Sequence, residues 1–563
     1  VNLVSGEGGG PLHGRVEAEG GGLGAARGAA RLSGGALAQR LQFSAGLQHL
    51  NVTRGADGFD PARNNTAHGY AQLRPAAGLS FSARIWATDG FAALNDSPYA
   101  APASLLPPAG VIAARPVSRD VQRAVEGGGR LAWGSANFMP NLNDPDSRRS
   151  SRGLSSAFLF TQQLAPSASW RVSDQRVDTR RDFEDGPAGV RFEPLYNNSS
   201  IIEGGIDTAQ ARTDLHLSRR HLLSAGYEFE RETYFSPYRD AAPVPERYSA
   251  EVRQRSHSLF GTWQVRAGRL QVALSGRWQR FQPGLPAFTG GRPVYEGVAF
   301  DTPPAARTGD IALAYFVGRT GTKLRAHAGN GYRAPSIFER FGTLFFDGTF
   351  SALGDPRLRP ERSSAFDFGL DQYLGGQKIR LSATYFYTNL SEVISFDSSG
   401  FLKPATDPYR RSSGYVNTGG GLGRGVELAA EARLFRRSSV QAAYTCNNSD
   451  VRNSTVRTRD FFKAPFVSDH QFSAVLLQSI TRRLDAAFDF VAVSSHPTIL
   501  SGRPFLFSGM RKLDAAAHYN VPLSDGVTVR FSLKGANILN SEYLENGFRT
   551  PGAWAMGGIG LLF

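Results

Sequence analysis

One cysteine and three methionines occur among the 563 residues. Cys446 has no partner for an intramolecular disulfide, and a Cys-based zinc or iron–sulfur site cannot form within one chain. The ten histidines are scattered without metal-ligand spacing. Long apolar runs are missing too. The most apolar stretches, Ile311 to Val317 and Phe472 to Leu477, fall far short of the about 18 residues a membrane-spanning helix needs. Capped stripes with a 3.6-residue period are almost absent, which argues against a helical fold. The first residues, VNLVSGEGGG, carry no initiator Met, basic n-region or apolar h-region of a signal peptide.

Catalytic signatures are also lacking. No G-x-S-x-G, H-E-x-x-H or triad spacing is visible, and the glycine run Gly419 to Gly425 neither opens a helix nor precedes a P-loop lysine. Asp144 and Asp146 lack the rest of a calcium loop and read as Asx-turn residues. No enzyme activity, cofactor or metal site is expected.

What is present is alternation. With 41% hydrophobic and 20% charged residues the chain is neither disordered nor extreme, and its 63 glycines follow no collagen period. From Arg269 to Phe281, Leu270, Val272, Leu274 and Trp278 oppose Arg269, Gln271, Ser275, Arg277 and Gln279. From Gly526 to Asn537, Val527, Val529, Phe531 and Leu533 oppose Thr528, Arg530, Ser532 and Lys534; from Gln377 to Leu390, Ile379, Leu381, Ala383 and Tyr385 oppose Lys378, Arg380, Ser382 and Thr384.

Short turns, read for example near Ser33 to Ala36, Arg74 to Gly78, Ala267 to Arg269 and Leu434 to Ser438, alternate with long connections such as Asp89 to Ser151 and Ala334 to Arg362. That sorting predicts about 22 strands of roughly 9 to 12 residues in an all-β, transmembrane antiparallel β-barrel with short periplasmic turns and long extracellular loops. In hydrocarbon every backbone polar group must be bonded, so a sheet crosses only if it closes.

Aromatics gather where the alternating runs end, among them Tyr70, Trp86, Trp263, Trp278, Tyr315, Tyr385, Tyr387 and Tyr519, as expected of interfacial girdles. The net charge of +14 sits on the polar faces and in loops. Arg277, Lys323, Arg325, Arg380, Arg530 and Lys534 should face the lumen, where they can pair with the lumenal Asp485 and Asp489, with carboxylates of a further segment seated in the lumen, or with an anionic solute. Arg148, Arg149, Arg410 and Arg411 read as loop or strand-end residues suited to lipopolysaccharide phosphates. The positives are dispersed rather than gathered in one patch, so nucleic acid is not an expected partner.

Several stretches resemble the TonB-dependent outer-membrane receptors of the siderophore and cobalamin type. GNGYRAPSIFERFG (Gly329 to Gly342) with GDPRLRPERSSAFDFGL (Gly354 to Leu370), GLGRGVELAAEARL (Gly421 to Leu434), and the end from Leu533 to Phe563 with Asn537, Tyr543 and Pro551-Gly552 are similar to that family's motifs. Ala553 and Trp554 stand where an Arg is common. The final strand, with Ile559, Leu561 and Phe563 on one face, resembles the C-terminal signal read by the barrel assembly machinery.

The resemblance implies residues 1–11 as the tail end of a plug domain, with Val1 to Val4 its last strand, and 12–563 as the barrel, so that most of the plug is missing from this chain. It implies import of a scarce, bulky nutrient through a monomeric receptor in the bacterial outer membrane, worked by the TonB complex through the plug. Partners would be outer-membrane lipid, lipopolysaccharide and a small-molecule substrate. The alternative is a passive channel or a surface adhesin. Arg191, Tyr196, Arg333, Phe345 and Phe346 are the ligand-contact candidates. Pro335, without an N–H, should end the strand after Arg333, and Glu339 and Arg340 have Arg357 and Glu361 as further pairing partners.

Overall fold

The computed structural model describes residues 8–56, 58–94, 112–114, 146–185, 198–239, 247–295, 302–346, 349–397, 402–435, 437–452, 461–463, 467–500, 503–545 and 548–563. Twenty-two long antiparallel strands follow one another around a closed barrel. The seam joins the two ends of the chain. His13–Gly21 pairs with Trp554–Leu562, which also pairs with Val527–Ala536, and Gly14 and Phe563 exchange backbone hydrogen bonds at 2.7 and 3.0 Å. No edge strand is left in the ring, which is the condition for a sheet to stand in hydrocarbon.

Because directly opposed residues share a face, the register sorts the wall into two surfaces. Leu259 opposes Tyr227 and Trp278, and Phe531 opposes Tyr519 and Ile559. These side chains are exposed on the outward, lipid-facing surface, as are Leu561 and Phe563. Phe366, Phe368, Tyr385 and Tyr387 pack together on the same surface. Tyr70 and Trp86 depart from the girdle expected of them. They share a face with Gln72 and Ser82, opposite to Leu73 and Phe81; Arg84 caps the Tyr70 ring at 5.1 Å and His68 stacks on Trp86 at 5.9 Å, so both aromatics serve the inner wall.

Two further expectations are corrected. Strands run from 9 to 21 residues, longest in Asn198–Ser218 and Arg247–Ala267, because pairing continues beyond the bilayer thickness on the side of the long connections. The short turn expected at Ser33 to Ala36 lies at 37–40 instead. Leu37, Ala38 and Gln39 all take left-handed backbone conformations (φ 51°, 53° and 67°), while Gly34 and Gly35 continue the strand. A turn built without glycine gives no compositional signal.

Candidate ligand-receiving site

On the inward face of His221–Arg239 and Arg247–Ala267, Tyr234, Tyr238, Tyr248, Ala250 and Val252 are buried although they line a lumen. They are covered by the connection between Thr322–Arg333 and Glu361–Leu374, which folds back onto this wall. Its short helix, Ile337–Phe341, starts at Ser336 in a reciprocal cap: the Glu339 N–H donates to Ser336 Oγ (3.2 Å) and the Ser336 N–H to Glu339 Oε2 (2.7 Å). Ile337 and Phe341 join Tyr234, Val252, Tyr295 and Ala352 in one apolar cluster, and Phe350 packs with Tyr238, Tyr248 and Ala250 in another. A hairpin, Thr343–Phe346 with Thr349–Ala352, follows the helix.

The polar centre of this folded loop is a buried guanidinium. Arg411 is 1% exposed and donates to Asp407 Oδ2 (2.9 Å), Asp355 Oδ2 (3.0 Å) and the carbonyls of Tyr415 (2.9 Å) and Gly354 (3.2 Å). Tyr295 closes the same knot, its hydroxyl donating to Gly342 O at 3.0 Å. Burial alone would raise the Asp407 carboxyl, but hydrogen bonds from the Arg411 side chain and N–H and the Tyr409 N–H hold it below the ordinary aspartate value. Burial pushes the Tyr295 and Tyr409 hydroxyls up. Arg411 is thus an interior residue of the loop core rather than a lipopolysaccharide contact. Arg148 stands exposed at the start of a strand and donates from Nε to Glu184 at 2.5 Å.

Arg340 is also enclosed, donating from Nη2 to Pro356 O at 2.8 Å. Beside it Arg357 remains exposed, donating from Nε and Nη2 to the two carboxylate oxygens of Asp355 (3.0 and 2.8 Å) and laid 5.4 Å from the Tyr409 ring centre. This guanidinium and ring form a fixed surface able to stack on a planar group or pair with an anion. The sequence motif GDPRLRPE contains Arg357, but its pairing with Tyr409 crosses two connections and has no local signature.

Of the ligand-contact candidates, Arg333 is tied bidentately to Glu339 (2.8 and 2.9 Å) and to Glu361 (2.6 Å), joining the strand end to the helix. Arg191 and Tyr196 lie outside the described residues. Phe345 and Phe346 belong to the hairpin, with Phe345 opposite Phe350. Further down the inner wall, charges meet in ladders. Arg277 donates to Glu228 (2.5 Å), and Lys534 and Arg27 converge on Glu19 (2.6 and 2.7 Å). Lys323, Arg325 and Arg380 surround the fully buried Asp371 at 3.8, 3.5 and 3.5 Å. Arg530 meets Asn520 at 2.8 Å, and Asp485 accepts from Ser479 at 2.6 Å. Asp489 lies opposite Asp514. The counter-charges of Arg277, Lys323, Arg325, Arg380 and Lys534 are therefore Glu228, Asp371 and Glu19, which the alternation alone did not single out.

Comparison with known proteins agrees with this architecture. The TonB dependent receptor-like β-barrel family matches residues 87–538. Among solved structures, the chain resembles the closed form of the ferric-catecholate import receptor Fiu of E. coli K12 (TM-score 0.72, 12% identity, covering 100% of this chain and 83% of that one). It also resembles the siderophore receptor PiuA of Acinetobacter baumannii (TM-score 0.70, 12% identity, 98% and 82% covered). A third likeness is the ferripyoverdine receptor of the Pseudomonas aeruginosa outer membrane bound to ferripyoverdine (TM-score 0.72, 13% identity, 98% and 72% covered). Among curated proteins no sequence match is found. With the family matched over most of the chain and the strand ring closed, the chain belongs to the TonB-dependent receptor β-barrel family of the bacterial outer membrane.

Proposed function

We propose that this barrel takes up a scarce, bulky nutrient of the ferric siderophore or cobalamin class. The observation that carries this reading is the loop core folded onto the inner wall, which presents the braced Arg357–Tyr409 pair. A rigid cation on an aromatic ring suits a large ligand with planar and anionic groups. Likeness in fold to receptors named for ferric-catecholate import and ferripyoverdine supports the class. Residues 1–11 are assigned to the end of a plug domain and 12–563 to the barrel, and TonB would act through the plug. Arg191, Tyr196, Phe345 and Phe346 stay ligand-contact candidates. Arg333 is better suited to holding the loop, given its two carboxylate partners. The strand end Ile559, Leu561 and Phe563 is assigned to recognition by the assembly machinery, and the exposed Arg149 and Arg410 to lipopolysaccharide.

Uptake tests this directly. A deletion strain is supplied with a panel of radiolabelled ferric siderophores and cobalamin, with and without an intact TonB complex. Loss of uptake of one ligand, restored by the gene only when TonB is present, is expected; unchanged uptake of every ligand would sink the proposal.

A further inference from the structure

Outward Tyr227, Leu259 and Trp278 form a row across three strands, and beyond them, toward the long connections, apolar side chains give way to charge. Over one sector of the outer wall that charge is matched. Arg152 donates to Asp89 (3.2 Å), Arg176 to Asp178 (2.7 Å), Arg180 to Asp182 (2.9 Å) and Arg231 to Asp207 (3.0 Å). The register puts all of these on the face of the exposed Leu154, Phe158 and Tyr227.

On the next strands, Arg247–Ala267, Leu270–Pro283 and Ala306–Val317, the matching stops. Trp278 lies between Leu259 and Arg307; the row beyond it runs Phe229, His257 and Arg280, and the next Arg231, Arg255 and Gln282. Arg255, Arg280 and Arg307, all exposed, are therefore successive diagonal neighbours, a step of roughly 7–8 Å between backbones. None of the three guanidiniums has an ion pair or hydrogen bond among the described residues, and Arg255 faces a further cation, Arg231, directly across the ladder. Farther out, Glu251 is taken by Arg253 at 2.8 Å. Like charges so placed are destabilising unless an anion joins them. This face looks toward lipid, so a plug seated in the lumen does not reach it. Below the cations the His257 ring lies 6.2 and 5.3 Å from the Tyr227 and Phe229 ring centres, with Tyr227 Oη 2.7 Å from His257 Nδ1. A cationic upper edge over an aromatic and apolar lower one matches the polarity of a lipid at the headgroup boundary.

We infer that this face holds a lipopolysaccharide molecule, its phosphates on Arg255, Arg280 and Arg307 and its acyl chains along Tyr227, Leu259 and Trp278. A guanidinium offers a planar fork to two phosphate oxygens, and cations spaced along a face suit a headgroup with more than one phosphate. The long connections mark the cell-exterior leaflet, where that lipid lies. The matched sector offers no such site, because its arginines already hold carboxylates. The inference rests on the outer-membrane placement of the barrel rather than on the nutrient it carries, and it concerns a wall site separate from Arg149 and Arg410.

The purified 563-residue chain, stripped of lipid in detergent, is titrated with diphosphoryl lipid A and read by native mass spectrometry. A one-to-one adduct is expected, about tenfold weaker with the monophosphoryl form. The triple variant R255Q/R280Q/R307Q should weaken it roughly a hundredfold, and each single substitution about fivefold. R152Q/R176Q/R180Q removes the same charge from the matched sector and should leave the affinity nearly unchanged. Wild-type affinity after the three substitutions, or equal weakening in both triple variants, overturns the inference. So does displacement of lipid A by an equal concentration of inorganic pyrophosphate, the mark of a free-anion site. Gel mobility before and after heating checks that each variant is a closed barrel; where the triple variant does not assemble, the single substitutions decide by the same criteria. Nutrient uptake in cells is read separately, so failure of the lipid site leaves the uptake proposal standing.

Discussion

Replacing Arg411 by Ala should unlock the folded loop while leaving the barrel intact. The guanidinium is 1% exposed, and its loss leaves Asp407, 5% exposed, with backbone N–H donors alone, takes from Asp355 one of its two arginines, and removes a donor from the carbonyls of Gly354 and Tyr415. Removing one member of such a buried ionic knot costs about 3 to 5 kcal/mol. Every 1.4 kcal/mol is a factor of ten, so opening of the loop should become roughly a hundred- to several-thousandfold more frequent. Amide exchange read over 334–360 and 402–415 is the assay, with the gel-mobility transition of the heated barrel as control, since the strand ring holds no bond to Arg411 across its seam. Arg411→Lys should open the loop less than the Ala variant but more than wild type, because an ammonium keeps the charge beside Asp407 and loses the planar fork that also reaches Asp355, Gly354 O and Tyr415 O. Exchange equal to wild type in both variants would refute the reasoning, and so would loss of the barrel transition itself.

Other outcomes follow from the same contacts. Asp407 is held below the ordinary aspartate value, so its contribution is complete above about pH 4 and is lost as pH falls through the depressed folded value; amide exchange of 402–415 should rise only under acid. Gly354→Ala places a Cβ 2.5 Å from the Arg340 carbonyl carbon and oxygen, backbone that cannot step aside, and should loosen the loop by about 1 to 3 kcal/mol in proteolysis assays. Asp371→Asn leaves Lys323, Arg325 and Arg380 without their shared carboxylate and should lower the barrel's thermal transition, by about 2 kcal/mol since these cations are partly exposed; restoration in a double variant with Arg380→Gln would support the shared-charge account.

The alternation of Leu270, Val272, Leu274 and Trp278 with polar residues was legible because lipid and lumen impose a period of two on every strand. The same parity placed Arg277, Lys323, Arg325, Arg380 and Lys534 on the inner face without naming their carboxylates. Aromatic identity is blind to face, so Tyr70 and Trp86 fit a girdle in the sequence and serve the inner wall in the structure. Arg411 resembled any loop arginine, since Asp407 is near in sequence but Asp355 and Gly354 are brought to it only by the folded connection.

Strand type and the separation of an apolar outside from a charged inside are written in residues one or two positions apart, and closure follows from the rule that a sheet in hydrocarbon can leave no edge, although the strands that meet at the seam are the two ends of the chain. Only the tertiary structure decided which charges meet. Carboxylates from distant strands and connections meet Arg277, Arg325, Arg380 and Lys534 and enclose Arg411, and these pairings depend on alignment between strands rather than on the composition of any one of them.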